Sequence, residues 1–507
     1  MNIKKAKEEI KNTILAYLSK DKFGQYKIPV TNQRPILLMG PPGIGKTAIM
    51  EQIAAECKIA LVSYTITHHT RQSAIGLPYI TKRIYNGEEK SITEYTMSEI
   101  IASVYNKIEE TNLKEGILFI DEINCVSETL SATMLQFLKE KAFGNHKVPD
   151  GWIIVSAGNP PEYNKSVREF DIVTLDRIRQ LDITIDYKVW KEYAFKQNVH
   201  EAIITYLDIK KEHFYNIETK VDGKEFVTAR GWEDLSKILI IYEELGLKVD
   251  EELIRQYIIH RRIAKDFHTY YDFYNKYKFE YSIDSIIEGK MNKEKYLNLV
   301  NAPFDERITV IGLILSKLYG VFLQVYNKDL YVSELFETLK SLKTSLLDSN
   351  RMLSVEDKLE EVIDEKYKAL DKMRVASHLD KKVEKSILSV CDTINSYKVA
   401  LKKEKIMDNE KAFDAIKAMF EVEVNERLEL IEVALEALKN GFVFMEEIFA
   451  ESQEMVIFIT ELTMNHYSSK FIGEYGSEEY YKYNKELMFK DRHKEIKDEI
   501  GQLLREI

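Results

Sequence analysis

Ile36-Leu37-Leu38-Met39-Gly40-Pro41-Pro42-Gly43-Ile44-Gly45-Lys46-Thr47 is the stretch that decides the fold. Four apolar residues in a row suit a strand buried on both faces. Gly40 to Thr47 fit G-x-x-x-x-G-K-[ST] in full, and a helical stretch, Ala48 to Cys57, follows. Glycines let backbone N–H groups turn inward around phosphate oxygens. The helix N-terminus adds partial positive charge at the same place. Lys46 has the reach for β- and γ-phosphates, and the Thr47 hydroxyl suits Mg²⁺. The candidate nucleotide-binding residues are therefore Gly40, Pro41, Pro42, Gly43, Ile44, Gly45, Lys46, Thr47 and Ala48. A chance Gly-rich turn is the plain alternative, and it would not require a strand before it and a helix after it.

Working outward, Ile117-Leu118-Phe119-Ile120-Asp121-Glu122 is a second apolar run, closed by two acids. A buried strand ending in a carboxylate delivers that charge to the sheet edge where a nucleotide would sit. Asp121 would hold the Mg²⁺ shell, and Glu122 would polarise an attacking water as general base. Alternation of side chains along a strand predicts that the two acids point apart. Further apolar runs occur at Ala60-Leu61-Val62, Trp152-Ile153-Ile154-Val155 and Leu181-Asp182-Ile183-Thr184-Ile185. With helical stretches between them, they predict an α/β fold with a parallel sheet and helical crossovers.

The whole chain has 507 residues, which suggests about three domains at roughly 150 residues each. Lys plus Arg total 72 and Asp plus Glu total 83, a formal net charge of −11. A dedicated duplex-DNA binder usually carries a basic excess, so this balance argues against one. Only 20 glycines and 9 prolines are present, too few for a turn-rich all-β chain, so long helices are expected. Cys57, Cys125 and Cys391 are far apart and odd in number, which suits a reducing compartment rather than a disulfide framework. The apolar run from Ile308 to Val325 is short for a membrane span and is interrupted by Lys317 and Gln324. The N-terminal charges have no continuous apolar core behind them, so a cytoplasmic location without membrane insertion is the expectation.

Together, the GPPGIGKT loop and the ILFIDE segment resemble the Walker A and Walker B motifs of AAA+ ATPases. Within that superfamily the chain is most similar to the MoxR-like branch, grouped with dynein-related AAA ATPases. The residues that carry this are Ser156-Ala157-Gly158-Asn159-Pro160-Pro161, Leu175-Asp176-Arg177 and Thr228-Ala229-Arg230-Gly231-Trp232. The resemblance covers about residues 30 to 245. It implies a P-loop αβα core with a five-stranded sheet, an all-α lid, ATP and Mg²⁺ as ligands, and an oligomeric ring, expected to be hexameric. By the same resemblance Asn159 matches sensor 1, which touches the γ-phosphate or the lytic water. Arg177 matches the arginine finger acting on the neighbouring subunit's nucleotide, with Arg179 as its rival. Arg230 matches sensor 2, and Thr65 and Thr67 are both open as the polar partner of Glu122. The segment His68 to Glu99 corresponds to a family insertion that faces the ring's pore, and residues 138 to 152, with Gly144-Asn145, to a short pre-sensor hairpin. The adjacent His68 and His69 lack further ligands at metal spacing.

The expected domain order is a core at 1–187, a lid at 188–265, an aromatic-rich helical region at 266–330 and a helical extension at 331–507. Phe267, Tyr270, Tyr271, Tyr274, Tyr277 and Tyr281 lie on one helix face, and packing is favoured there over a base-stacking platform. Val355, Leu359, Val362, Ile363, Tyr367, Leu370 and Met373 mark one long amphipathic helix, and Leu428, Ile431, Leu435 and Leu438 mark another. The functional expectation is an ATP hydrolase that remodels or matures a partner protein. Some relatives with such extensions work with a protein carrying a von Willebrand factor A domain. The competing expectations are a nucleic-acid-stimulated motor and a nucleotide-controlled scaffold with negligible turnover.

Overall fold

Five short strands from different parts of the chain meet in one sheet because their residues are apolar on both faces. They are β1 (Ile36–Met39), β2 (Ala60–Thr65), β5 (Gly116–Asp121), β8 (Trp152–Gly158) and β9 (Arg179–Asp182). The order is β2-β5-β8-β1-β9 and every neighbouring pair is parallel. The computed structural model describes residues 1–68, 71–163, 170, 172–220, 223–347, 355–375, 381–404, 406, 408–450 and 452–485.

The pleat sends alternate residues to opposite faces. Ile36, Leu38, Ile117, Phe119, Ile153 and Val155 pack against α1 (Ile3–Leu18) and α2 (Lys46–Cys57). Leu37, Leu118, Ile120 and Ile154 pack the other way, against α4 (Glu99–Thr111) and α5 (Glu128–Glu140). The result is the expected αβα sandwich. Parallel pairing brings the C-terminal ends of β1, β5 and β8 together, and Met39 lies in register with Gly158.

Two antiparallel hairpins and two short helices lie outside the sheet: β3 (Pro78–Tyr85) with β4 (Glu88–Tyr95), β6 (Ala142–Phe143) with β7 (His146–Lys147), α3 (Arg71–Ile75) and α6 (Ile172–Leu175). The first hairpin occupies the segment read as an insertion. Its turn residues Asn86 and Gly87 both have positive φ, 51° and 86°, the geometry of a two-residue turn that matches strand twist.

The chain divides into two compact units. One is Met1–Val189 with Glu365–Glu384, and the other is Trp190–Asp364 with Lys385–Ile507. The second unit is helical, with one departure from an all-α lid. Asn216–Lys220 (β10) and Gly223–Val227 (β11) form an antiparallel hairpin. Its residues alternate weakly and are mostly exposed, so no continuous apolar run marks it in the sequence. The helix Phe304–Leu347 runs unbroken through residue 330, where the sequence suggests a boundary. By length and composition it could cross a membrane, and 56% of its most apolar window is buried. Val310, Ile311, Ile314, Leu318 and Phe322 are at most 1% exposed, which is how the core helix of a helical unit looks. The aromatic face is also core. Phe267, Tyr271, Tyr274 and Tyr281 are buried, and Tyr206, Trp232 and Phe267 meet with ring centroids 5.2 to 5.9 Å apart. Rings in such mutual contact are not a stacking platform for bases.

Beside those rings lies a cluster of ionisable groups. Burial pushes the Glu201 carboxyl up to about 7, against the pull of His200, Lys278 and the Tyr274 hydroxyl, and the nearby Glu243 charge adds to the rise. Burial also pushes Glu243 up, but hydrogen bonds from His200 and Tyr271 and the charges of His200 and Lys278 outweigh it and hold that carboxyl at about 2. A carboxyl raised above its ordinary 4.5 favours the fold below that pH, and this contribution is lost as pH rises through about 7. Glu201→Gln should therefore melt about 2 °C or more above wild type at pH 8, with equal melting at pH 4.5. Equal melting at both pH values would show that Glu201 does not carry the effect.

Candidate active site

Gly40 to Gly45 leave the end of β1 and turn into α2. Gly43 and Gly45 have φ of 73° and 90°, a left-handed backbone that glycine adopts without strain. Lys46 begins the helix and is 8% exposed. Its ammonium donates to Gly40 O at 2.7 Å, Pro41 O at 2.9 Å and Asn159 Oδ1 at 2.8 Å. Thr47 donates its hydroxyl to Asp121 Oδ2 at 2.9 Å. The phosphate loop, the end of β5 and the end of β8 are thus tied together by four of the residues singled out from sequence, Lys46 with Asn159 and Thr47 with Asp121.

This donor set suits the ligands it implies. A loop with two left-handed glycines, a cation at its base and a helix N-terminus behind it matches a polyphosphate. A hydroxyl and a carboxylate 2.9 Å apart are the hard oxygen donors that Mg²⁺ takes. Among the described residues no group of three or more His, Cys, Asp or Glu side chains forms a separate metal site. His69, half of the histidine pair noted in the sequence, lies outside the described residues.

Residues 36–174 match the family model described as ATPase family associated with various cellular activities (AAA). This segment is similar to an AAA-type ATPase domain. The family implies nucleotide binding, typically with Mg²⁺. No curated protein matches the chain.

Within the matched segment, the strand ends at Asp121 and Glu122 sits just beyond it with φ 57°. The two acids therefore part company at a left-handed residue, and not through strand alternation as the sequence suggests. A non-glycine residue in this conformation costs about 1–2 kcal/mol, and such strain concentrates at functional sites. Asp121 Oδ1 accepts the Glu122 N–H at 2.9 Å, and Cys125 N–H donates to Glu122 O at 2.9 Å. Glu122 is half-buried, and its carboxylate has no hydrogen-bond partner among the described residues. Thr65 pairs with Asp121 across β2 and β5, and Thr67 lies just beyond. Neither hydrogen-bonds Glu122 among the described residues.

The two rival arginines are placed differently. Arg179 opens β9 and its guanidinium is engaged within its own unit, reaching Glu9 Oε2 at 2.5 Å and bonding the Thr13 hydroxyl. Arg177 is exposed in the turn before β9 and has no ion pair among the described residues. Arg230 is exposed in the first turn of the helix Ala229–Leu245, in the second compact unit.

One residue near these motifs escapes the sequence motifs. Asn124 is 2% exposed and holds the main chain of Asn159. A polar residue two positions after an acid pair was the available signal, but an asparagine there reads equally well as a turn former.

Proposed function

We propose that this chain is a MoxR-like AAA+ ATPase that hydrolyses ATP in an oligomeric ring, expected to be hexameric, and uses the motion to remodel or mature a partner protein. The observation that carries the hydrolase reading is the pairing of Lys46 with Asn159 and of Thr47 with Asp121, with Glu122 next in the chain and its carboxylate without a hydrogen-bond partner among the described residues.

In this reading Glu122 takes a proton from water as its oxygen attacks the γ-phosphorus. The bond from that phosphorus to the β–γ bridging oxygen breaks, leaving ADP and inorganic phosphate. Lys46 offsets negative charge on the phosphates, and Asn159 orients the terminal phosphate or the water. Thr47 and Asp121 would hold Mg²⁺, which supplies charge neutralisation to the phosphate oxygens. Arg177, exposed and without an ion pair among the described residues where Arg179 is tied to Glu9, is the arginine offered to a neighbouring subunit's site, and Arg230 is offered as the sensor from the lid. The helical second unit presents the surface for a client or adaptor, a class that includes proteins with a von Willebrand factor A domain.

The ring element is tested by mixing two inactive proteins. Arg177→Ala and Glu122→Gln should each be nearly inert alone, and mixed rings should recover part of the wild-type turnover. A mixed ring can hold one interface with Glu122 and Arg177 both intact. Subunit exchange shown by fluorescence transfer, with no recovered phosphate release at any mixing ratio, would rule out Arg177 as a residue acting across subunits.

A further inference from the structure

We propose that Asn124 is a positioning residue for hydrolysis, which fastens the general-base segment to the sensor asparagine so that both are held at one spacing. The proposal rests on the hydrolase reading above and names what makes that site rigid.

The geometry begins with what the strand leaves undone. β5 stops at Asp121, and after the left-handed residue Glu122 the chain resumes alongside β8, where Ile123 N–H donates to Ala157 O at 3.0 Å. Two residues beyond, at Asn159, β8 has ended and its main chain has no strand partner. The Asn124 side chain supplies one. Its Nδ2 donates to Asn159 O at 2.8 Å, and its Oδ1 accepts Asn159 N–H at 3.3 Å. A carboxamide reproduces the donor and acceptor of a peptide group, so one side chain satisfies both main-chain atoms of Asn159. With its backbone clasped, Asn159 points its own Oδ1 at Lys46 Nζ, 2.8 Å away.

The residue types around the clasp agree with this role. Gly158 must lack a side chain, because a Cβ there would lie 2.6 Å from Asn124 Oδ1 and 3.0 Å from Met39 Sδ. Asn124 is nearly fully buried, so water cannot replace its two bonds at little cost. The turn closed by Cys125 N–H on Glu122 O fixes the path from Glu122 to Asn124. Glu122, Asn124, Asn159 and Lys46 therefore form one continuous chain of covalent and hydrogen-bonded links. A shift of either the base or the sensor has to be shared by the other. Asn124 touches neither phosphate nor water in this account, and its effect on chemistry runs through Asn159.

Two substitutions attack the clasp from opposite sides. Asn124→Ala removes the carboxamide, and Gly158→Ala pushes it away while leaving it present. In the full chain both should lower kcat on the order of 100-fold, the scale of a misplaced reacting group. KM for ATP should change less than about threefold and ADP affinity less than about twofold, because neither substituted residue belongs to the phosphate loop and Lys46 keeps its bonds to Gly40 O and Pro41 O. Retention of ADP with aluminium fluoride, a mimic of the transferring phosphoryl group, should weaken about tenfold or more in both variants, and it reads the same positioning without turnover. Variants with wild-type kcat and wild-type retention of the mimic would overturn the proposal. So would loss of ADP binding in step with a lowered melting temperature, since that is the signature of a merely structural residue. Wild-type protein that holds the mimic yet never releases phosphate would defeat the hydrolase reading alone. The retention comparison would then still decide the role of Asn124.

Discussion

Lys46→Ala should weaken ATP binding about 100-fold or more, which corresponds to about 2.7 kcal/mol. The ammonium is 8% exposed and already surrounded by oxygen, from Gly40 O, Pro41 O and Asn159 Oδ1. Its position at the base of the loop presents a positive charge to any phosphate cradled there, and hydrogen bonds to charged groups contribute about 1.5–3 kcal/mol each. Truncation also leaves three acceptors without their donor, two of them buried carbonyls, so the loop itself loses its anchor to the end of β8. Lys46→Met keeps the aliphatic stem and removes the ammonium, so it separates the loss of side-chain packing from the loss of charge and donor. Both variants should lose ATP affinity by titration calorimetry and melt below wild type in the absence of nucleotide, the alanine by more because it also loses the buried stem. A dissociation constant within threefold of wild type in either variant would contradict the assignment of Gly40–Thr47 as the phosphate loop.

The parts of this site that could be read from sequence are those with a local physical signature. The loop announces itself because strand, glycines, lysine and helix must be contiguous to work. The acids stand out because they close an apolar run that follows the phosphate loop in the chain, whereas such a pair alone would be an ordinary strand end. The five apolar runs likewise predicted the strands of the sheet, with the fifth displaced to Arg179–Asp182. What escaped was non-local or weakly patterned. Asn124 has meaning only once β5 and β8 are known to lie side by side. The β10–β11 hairpin is mostly exposed and carries no apolar run. The β3–β4 hairpin did have a local signal in Asn86-Gly87, a dipeptide that favours a tight hairpin turn. That Arg179 is tied to Glu9, 170 residues earlier in the chain, is a contact no local pattern could show.

Glu122→Gln should lower kcat on the order of 1,000-fold, within the range that a positioned general base supplies, while ATP affinity stays within about threefold of wild type. The substitution keeps size and shape, so the half-buried side chain and the left-handed backbone at φ 57° are unchanged. Only the ability to take a proton at neutral pH is removed. The contacts made by Lys46 and Thr47 do not involve the Glu122 side chain, which is why binding and turnover should separate. A companion variant asks why a strained conformation is kept at this position. Glu122→Gly relieves the left-handed penalty but adds chain entropy to the unfolded state, so its net gain in stability should be at most about 1 kcal/mol. It should be as inactive as the glutamine variant. If glycine stabilises the fold while abolishing phosphate release, the strain is the cost of aiming a carboxylate that the strand alone would not aim. If Glu122→Gln retains more than a tenth of wild-type kcat in single-turnover measurements, the base lies elsewhere and the uncommitted carboxylate at the end of β5 is not the group that readies water.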